Sequence, residues 1–564
     1  MEQTDLTTDV LVIGGGVAGL NAGLSALAAG ARVTIMDKAV IARSGHAAGG
    51  IDHFLAFLET GPDWDTREAY LDFTVRASKG ATRPEVAEQA YCEVLPAAMA
   101  RFEEIGVSLR QADGSYLRTR SFGQPGPWWV NFNGKRLKPA LARAVRQAGA
   151  QVLDRVALAD LLVEDGRVWG ATGFHIREGT FFILSAKAVI LATGGTNRLF
   201  THPSGLSFNT WMCPADTGDG EAAAFRAGAA LANVEYLRMT VVPRGFSAPG
   251  LNALVGMGAR LVNGLGREFM ESYHPQGMKG PRAKLAEGVI GELKAHRGPV
   301  YMDCRHLDKN DLDHLVTTLS YDKDTFGDFL DQKGIDLGQD LLEVAPSEGM
   351  QGGPNEVCGS GIRIDQSCAA TVPGLFAAGN SADQCRSLHM AVTSGMHSGR
   401  MAAELAAKTP EVPTPPSAQV RAARERLRRP MESQGGTSWQ EFELVLQRII
   451  TEGLGPDRTA WGFEQAVSRL DRLEAWQDQV RCPTYHDLCR FQELLNIKTV
   501  ARCMLAAADL RKESRFGLGH NRLDHPRTDD SNWLGQIKVF QGQGGQPETE
   551  FQPLSYPEPG SKEA

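Results

Sequence analysis

An α/β fold is what this sequence predicts: a parallel sheet, interrupted by an inserted α+β domain and followed by a helical domain. Three observations lead there. Residues 9 to 13, DVLVI, are a short β-branched run; GGGVAGL follows, then an Ala/Leu-rich stretch to about Ala29, then ARVTIMDK. That order is strand, tight turn, helix, strand, a βαβ unit. AKAVILATGG (186–195) and VPGLFAAGN (372–380) are two more buried strands ending in tight turns, and between them residues from about 236 to 350 lack the strand–turn–helix rhythm. Last, the Pro-rich KTPEVPTPPSAQ (408–419) precedes a stretch of helical periodicity to about 510, as in DLCRFQELLNIKTVARCMLAAADL. The expected division is a first domain in two parts, 1–235 and 351–408, a capping domain at 236–350, a helical domain at 420–515 and a C-terminal extension at 516–564. The tail, GQGGQPETEFQPLSYPEPG, reads as extended or wrapped on another surface. No internal repeat is visible.

Composition narrows the function classes. A chain of 564 residues, 42% hydrophobic and 22% charged, can bury a large core and reads as an ordinary globular protein. The net charge of −8, without blocks of like charge, argues against a nucleic-acid partner. Nothing approaches the run of about 18 apolar residues that a membrane span requires. The acidic, polar start MEQTDLTTD is unlike a secretory signal, so a cytoplasmic location is expected. Nine scattered cysteines include no CxxC pair, so no zinc or iron–sulfur site of the chain's own is expected.

The turn after the first strand carries the first chemistry. Gly14, Gly16 and Gly19 form GxGxxG between strand and helix. The first glycine permits the turn, the second lets a pyrophosphate approach the backbone, and the third lets the helix lie on the strand. Asp37 ends the second strand, where a carboxylate can accept from a ribose hydroxyl. RSGHAAGG (43–50), TGDG (217–220), LATGG (191–195) and GLFAAGN (374–380) lie far along the chain from this turn. A flavin ring and ribityl chain extend past the first half of the fold and need such later segments, so FAD is expected rather than NAD.

Together these segments resemble the flavoprotein-subunit family of succinate dehydrogenase, fumarate reductase and L-aspartate oxidase, and most of all the alpha subunit of adenylylsulfate reductase. Further matches are NGKRLKP (133–139), VVPRGF (241–246), HRGPVYMD (296–303), LHMAVTSGMHSGR (388–400) and SRFGLGHNRLDHP followed by DDSNWL. The resemblance implies a Rossmann-like FAD-binding domain interrupted by the cap. It offers Lys38, Ser44, Gly45, Gly49, Gly50, Thr193, Gly194, Asp219, Gly379, Asn380 and Ser394 as further FAD contacts. Succinate dehydrogenases bond the flavin through a histidine directly after the Arg-Ser pair. That place here is Gly45, as in the adenylylsulfate reductase pattern, so FAD is expected to be non-covalent, with Gly45, Gly49 and Gly50 against the ring and His46 a packing or hydrogen-bonding residue.

The catalytic side of the resemblance is less regular. Where fumarate reductases carry a His-Pro-Thr-Gly turn, this chain reads Val242-Pro243-Arg244-Gly245, and the place of their shuttle arginine falls on Glu287. Arg282 lies five residues earlier and reads either as a substitute or as a surface residue. Arg244 resembles an arginine of adenylylsulfate reductases that would grip an anionic group beside the flavin; the other reading is a structural salt bridge. His389 and His53 are the histidine candidates. Trp128 would stack on a planar ligand or fill the core. Arg136, beside Lys135, replaces a family acidic pair; Asn355, beside Glu356, stands where a family histidine is absent; Leu55 stands for an asparagine. The expected function is a catalytic flavoprotein subunit that exchanges electrons between a small anionic substrate and a ferredoxin-like iron–sulfur partner. The alternative is a fumarate-reductase-like reductase or desaturase acting on a C–C bond of an organic acid.

Acid precipitation should release all FAD into the supernatant, because Gly45 offers no atom to bond it. Flavin absorbance that stays with the denatured polypeptide would refute this.

Overall fold

The computed structural model describes residues 1–554 apart from 121–123, 203–209, 247–250, 323–324, 354–356 and 385–386. Its centre is a seven-stranded sheet. β1 (Gln3–Ile13) lies between β2 (Val33–Asp37) and the strand Phe181–Leu191, parallel to both. Gln151–Asp154 continues the parallel set beyond β2, and Leu375–Ala377 pairs in parallel with the far end of Phe181–Leu191. An antiparallel pair, Val156–Glu164 and Arg167–His175, completes the sheet. Val10, Leu11, Val12, Ile35, Val189 and Ile190 are all fully buried, as expected where helices cover both faces of a parallel sheet.

The strand predicted at 9–13 starts six residues earlier. Residues 3 to 8, QTDLTT, pair with Phe181–Ala186 while alternating between exposed and inward-facing positions, so their polar half-face conceals the strand in the sequence.

Helix α1 (Val17–Ala28) lies against the long helix Leu388–Lys408, and glycine sets the spacing. A Cβ on Gly395 would sit 2.4 Å from the Ala18 carbonyl oxygen, and one on Gly399 2.2 Å from that of Ala22. Two backbones this close leave no space for a side chain. The contact fixes where both helices begin, and both begin at the same cavity.

Segment 241–346 has its own sheet, antiparallel in the order Val241–Pro243, Leu342–Pro346, Val300–Asp303, Arg260–Val262. Helices Arg282–Lys294 and Phe326–Lys333 cover a separate core that includes Leu261, Leu285, Val300, Met302 and Leu342. The helical domain holds Ser417–Glu432, Trp439–Leu454, Ala460–Gln477 and Tyr485–Leu510, with capping boxes at Ser438/Glu441 and Thr484/Asp487. None of the described helices is long and apolar enough to cross a membrane.

The C-terminal extension does not lie loose. Gly535–Gln541 and Pro547–Pro553 form a hairpin that adds to Leu231–Ala232 and Gly361–Ile362 of the first domain. It is anchored by a buried ion cluster. Arg511 meets Glu235 at 2.9 Å and Glu513 at 2.8 Å, and Arg515 meets Glu513 at 2.6 Å and Asp530 at 2.7 Å. The SRFGLGHNRLDHP motif is therefore scaffold: His520 Nδ1 sits 3.0 Å from Arg458, and Arg522 pairs with Asp524 at 2.7 Å.

Gly399→Val must push α1 off its partner helix. Overpacking of this kind costs roughly 1–3 kcal/mol, read as a lower unfolding temperature together with weaker FAD retention. Unchanged values of both would show that the two helices are not in contact as described.

Candidate active site

A cavity of about 300 Å3 runs from the GxGxxG turn to the edge of the cap. Its wall includes Gly14, Gly16 and Asp37 of the first βαβ unit and also Arg238 and Arg282. The N-terminus of α1 opens on it at Gly16 and Val17, and the N-terminus of Leu388–Lys408 at Ser387 and Leu388. Two helix N-termini facing one cavity favour negative charge there.

The glycines of the turn have three distinct jobs. Gly14 has φ +103°, and a Cβ on it would lie 2.3 Å from the Ala192 carbonyl oxygen. A Cβ on Gly19 would lie 1.8 Å from the Gly14 oxygen, so Gly19 sets the distance between α1 and the turn and does not itself line the cavity. Gly16 differs: the nearest atom to an added Cβ is 3.9 Å away. The space beside Gly16 belongs to the cavity, as a pyrophosphate cradle requires. The residues present fit FAD.

Other predicted contacts divide. Lys38, Ser44, Gly45, Thr193, Gly194, Asp219 and Asn380 line the cavity. Thr193 Oγ1 accepts from Gly220 N at 3.1 Å, and Gly194 has φ +80° where a Cβ would enter the Asp216 carboxylate. The Lys38 ammonium pairs with Asp219 at 2.7 Å and Glu493 at 2.9 Å. Burial opposes its charge, but the two carboxylates outweigh burial and raise its pKa. Lys38 therefore ties β2 to the helices Asp219–Arg226 and Tyr485–Leu510. Gly379 and Ser394 stand one layer back: Ser394 Oγ accepts from Gly379 N at 3.0 Å, which holds the 378–380 turn in place. Gly49 is exposed with open space around it, and Gly50, at φ +138°, is buried outside the cavity wall, so of the three glycines expected against the ring only Gly45 reaches the cavity.

On the substrate side the structure corrects several expectations. Arg244 does not reach the cavity; it follows strand Val241–Pro243, is 68% exposed and pairs with Glu343 of the neighbouring strand. Arg136 is exposed on a short turn outside the cavity. Trp128 is core: it is fully buried, edge-on to Tyr70 and Phe73, and its Nε1 donates to the Trp64 carbonyl at 2.9 Å. His389 lies behind the wall, bonded to Ser387 and edge-on to Tyr91, with burial pulling its imidazole down to about 3, so it stays neutral. Asn355 lies outside the described residues.

Arg282 and His53 do line the cavity. Arg282 opens the helix Arg282–Lys294, whereas Glu287, five residues on, pairs with Lys284 at 2.7 Å. His53 stacks on Trp129 with ring centres 4.1 Å apart, and its Nδ1 is 2.5 Å from Asp52 Oδ1.

Sequence reasoning missed Arg238, Trp211 and Asp52, all in the cavity wall. Arg238 is nearly buried, and its guanidinium lies over the Trp211 ring at 5.7 Å. The signal was present: an arginine inside the mostly apolar run YLRMTVV is costly to bury unless it meets a charge or a ligand.

Gly16→Val should leave the fold intact yet abolish FAD binding, since its side chain fills the space of the pyrophosphate alone. Gly19→Val should instead disrupt the fold. Circular dichroism with flavin stoichiometry separates the two outcomes; a yellow Gly16→Val protein would place the cofactor elsewhere.

Comparison with known proteins agrees with this geometry. The FAD binding domain family matches residues 9–397, and the fumarate reductase flavoprotein C-terminal family matches residues 443–562. L-aspartate oxidase of Streptomyces coelicolor is 30% identical, over 95% of this chain and 91% of its own. The fumarate reductase flavoprotein subunit of a Serratia species is 27% identical, over 96% of this chain and 94% of its own. Among solved structures, adenylylsulfate reductase from Archaeoglobus fulgidus superposes with a TM-score of 0.87 over 98% of this chain and 97% of its own; at 23% identity this is a likeness of fold. The chain belongs to the FAD-binding flavoprotein family of fumarate reductase and succinate dehydrogenase, and it is an FAD-dependent oxidoreductase.

Proposed function

We propose that this oxidoreductase acts on a small organic acid, held by Arg282 and Arg238 at the cap end of the cavity, and that its electrons pass to or from an iron–sulfur partner. The observation that carries the reading is the placement of these two guanidinium groups in the wall of the same cavity as the phosphate-binding turn. A guanidinium fork matches a carboxylate through two charge-assisted hydrogen bonds. The adenylylsulfate-like expectation leaned on Arg244, which is turned to solvent and to Glu343. L-aspartate oxidase and fumarate reductase, the relatives that match along nearly the full chain, are named for substrates of the organic-acid class.

Bound FAD supplies two-electron exchange with the substrate. The chain's own residues supply the rest. Arg282 and Arg238 bind and orient the acid. His53, with Nδ1 turned to the Asp52 carboxylate, is fixed in the tautomer that holds or releases a proton at Nε2. His389 is too deeply buried to share that task. Cap segment 241–346 closes the cavity against water. The iron–sulfur partner is inferred because the fumarate reductase relative is named as a flavoprotein subunit, one part of an assembly.

Arg282→Lys should keep its FAD but lose about 30- to 1,000-fold in the rate at which fumarate reoxidises the reduced flavin, the equivalent of roughly 2–4 kcal/mol for a forked contact to developing charge. Arg244→Lys should stay within a few-fold of the parent. If instead Arg244→Lys is crippled, and sulfite with AMP rather than any organic acid exchanges electrons with the flavin, the organic-acid reading fails and the adenylylsulfate-like one replaces it.

A further inference from the structure

Lys138 has no part in the site described so far. It lies on the helix Leu137–Gln147, is 1% exposed, and its Nζ donates to the carbonyl of Gly15. That carbonyl also accepts from Ser44 Oγ at 3.2 Å, while Gly15 N donates to Asp37 Oδ2 at 2.5 Å. A Cβ on Gly15 would lie 2.4 Å from Ile41 Cγ2, which closes a further side. Gly15, in the middle of the phosphate-binding turn, is therefore held at its carbonyl by a cation and at its N–H by an anion. Gly16, the next residue, faces the cavity.

Burying an ammonium is expensive, and an apolar side chain would fill this place at no electrostatic cost. Asp37, at the end of β2, is the charge that supports it. Lys38 is committed to Asp219 and Glu493, Arg43 and His46 line the cavity, Arg146 on the same helix pairs with Asp154, and Arg136 is exposed. A pyrophosphate bound beside Gly16 would bring two negative charges close to this turn.

We propose that Lys138 is a positioning residue for FAD: from behind the turn its ammonium fixes the Gly15 peptide in phosphate-binding geometry and supplies charge that the pyrophosphate requires, so that FAD binding takes up a proton in mildly alkaline solution. The inference holds whichever substrate the enzyme uses. Burial pulls the ammonium from 10.5 down to about 8, with Asp37 opposing the fall. A lowered lysine pKa favours the neutral form in the empty fold, so this group's contribution to folding improves as pH rises from about 8 to 10.5. A bound dianion favours the ammonium. FAD affinity is therefore full below about 8 and falls as pH rises beyond it.

The test is FAD binding to the full-length apoprotein, measured from pH 7 to 9.5 by flavin fluorescence, with proton uptake measured at pH 9 by calorimetry in two buffers of different ionisation enthalpy. The expected Kd rises by up to about tenfold per pH unit above 8, with close to one proton taken up. Lys138→Met should bind FAD at least about 10-fold more weakly at pH 7, lose this rise and take up no proton at pH 9. No proton uptake by the parent protein overturns the proposal, and this measurement decides even if Lys138→Met does not fold. Uptake that persists undiminished in Lys138→Met overturns it equally, since the proton then goes to another group.

Discussion

The close approach of α1 to the helix Leu388–Lys408 is the constraint on which the rest depends. Gly395 and Gly399, one helical turn apart, let the two backbones touch at Ala18 and Ala22. Through that contact both helices start at one cavity, and the positive ends of both face it. The parallel sheet supplies the floor, since β1 and Leu375–Ala377 each feed one of these helices. A side chain at either glycine would part the helices and with them the two ends of the flavin site.

Around this centre, charge is used in two different ways. The clusters Arg511–Glu235–Glu513–Arg515 and Lys38–Asp219–Glu493–Arg198 are internally compensated, and they join the C-terminal and helical domains to the FAD domain. Such buried clusters are costly to assemble and costly to break, so they fix relative placement more than they add stability. Arg238 and Arg282 differ in that they stand in a cavity wall. A guanidinium in a cavity wall is placed where it can also meet a ligand.

Much of the fold was legible because its signals are local. The βαβ unit shows in DVLVI, GGGVAGL and VTIMD, each readable within a dozen residues. The first six residues of β1 were not, because QTDLTT is half polar and its pairing partner lies some 180 residues away at Phe181–Ala186. The cofactor end of the site was legible for the same local reason. The substrate end was not. Arg238 and Arg244 sit six residues apart in one short run, and only the register of Val241–Pro243 with Val344–Pro346 turns Arg244 to Glu343 and solvent. Trp128 read either as a ligand contact or as core, and His389 as a candidate beside the flavin; the aromatic cluster of Phe54, Tyr70 and Tyr91 encloses His389, and Tyr70 and Phe73 enclose Trp128. Their partners come from separate elements that no sequence window contains. The SRFGLGHNRLDHP motif marked the family correctly but for a structural reason, since its arginines and His520 hold the C-terminal scaffold together.

The central claim is that FAD fills the cavity between the two helix N-termini and that an organic acid binds beyond it against the cap arginines. A crystal structure of the holoenzyme soaked with fumarate tests both parts at once. The account predicts the pyrophosphate beside Gly16 and a carboxylate of fumarate within hydrogen-bonding distance of Arg282 and Arg238, with Arg244 still paired to Glu343. A carboxylate seated on Arg244, or a flavin lying outside this cavity, would contradict it.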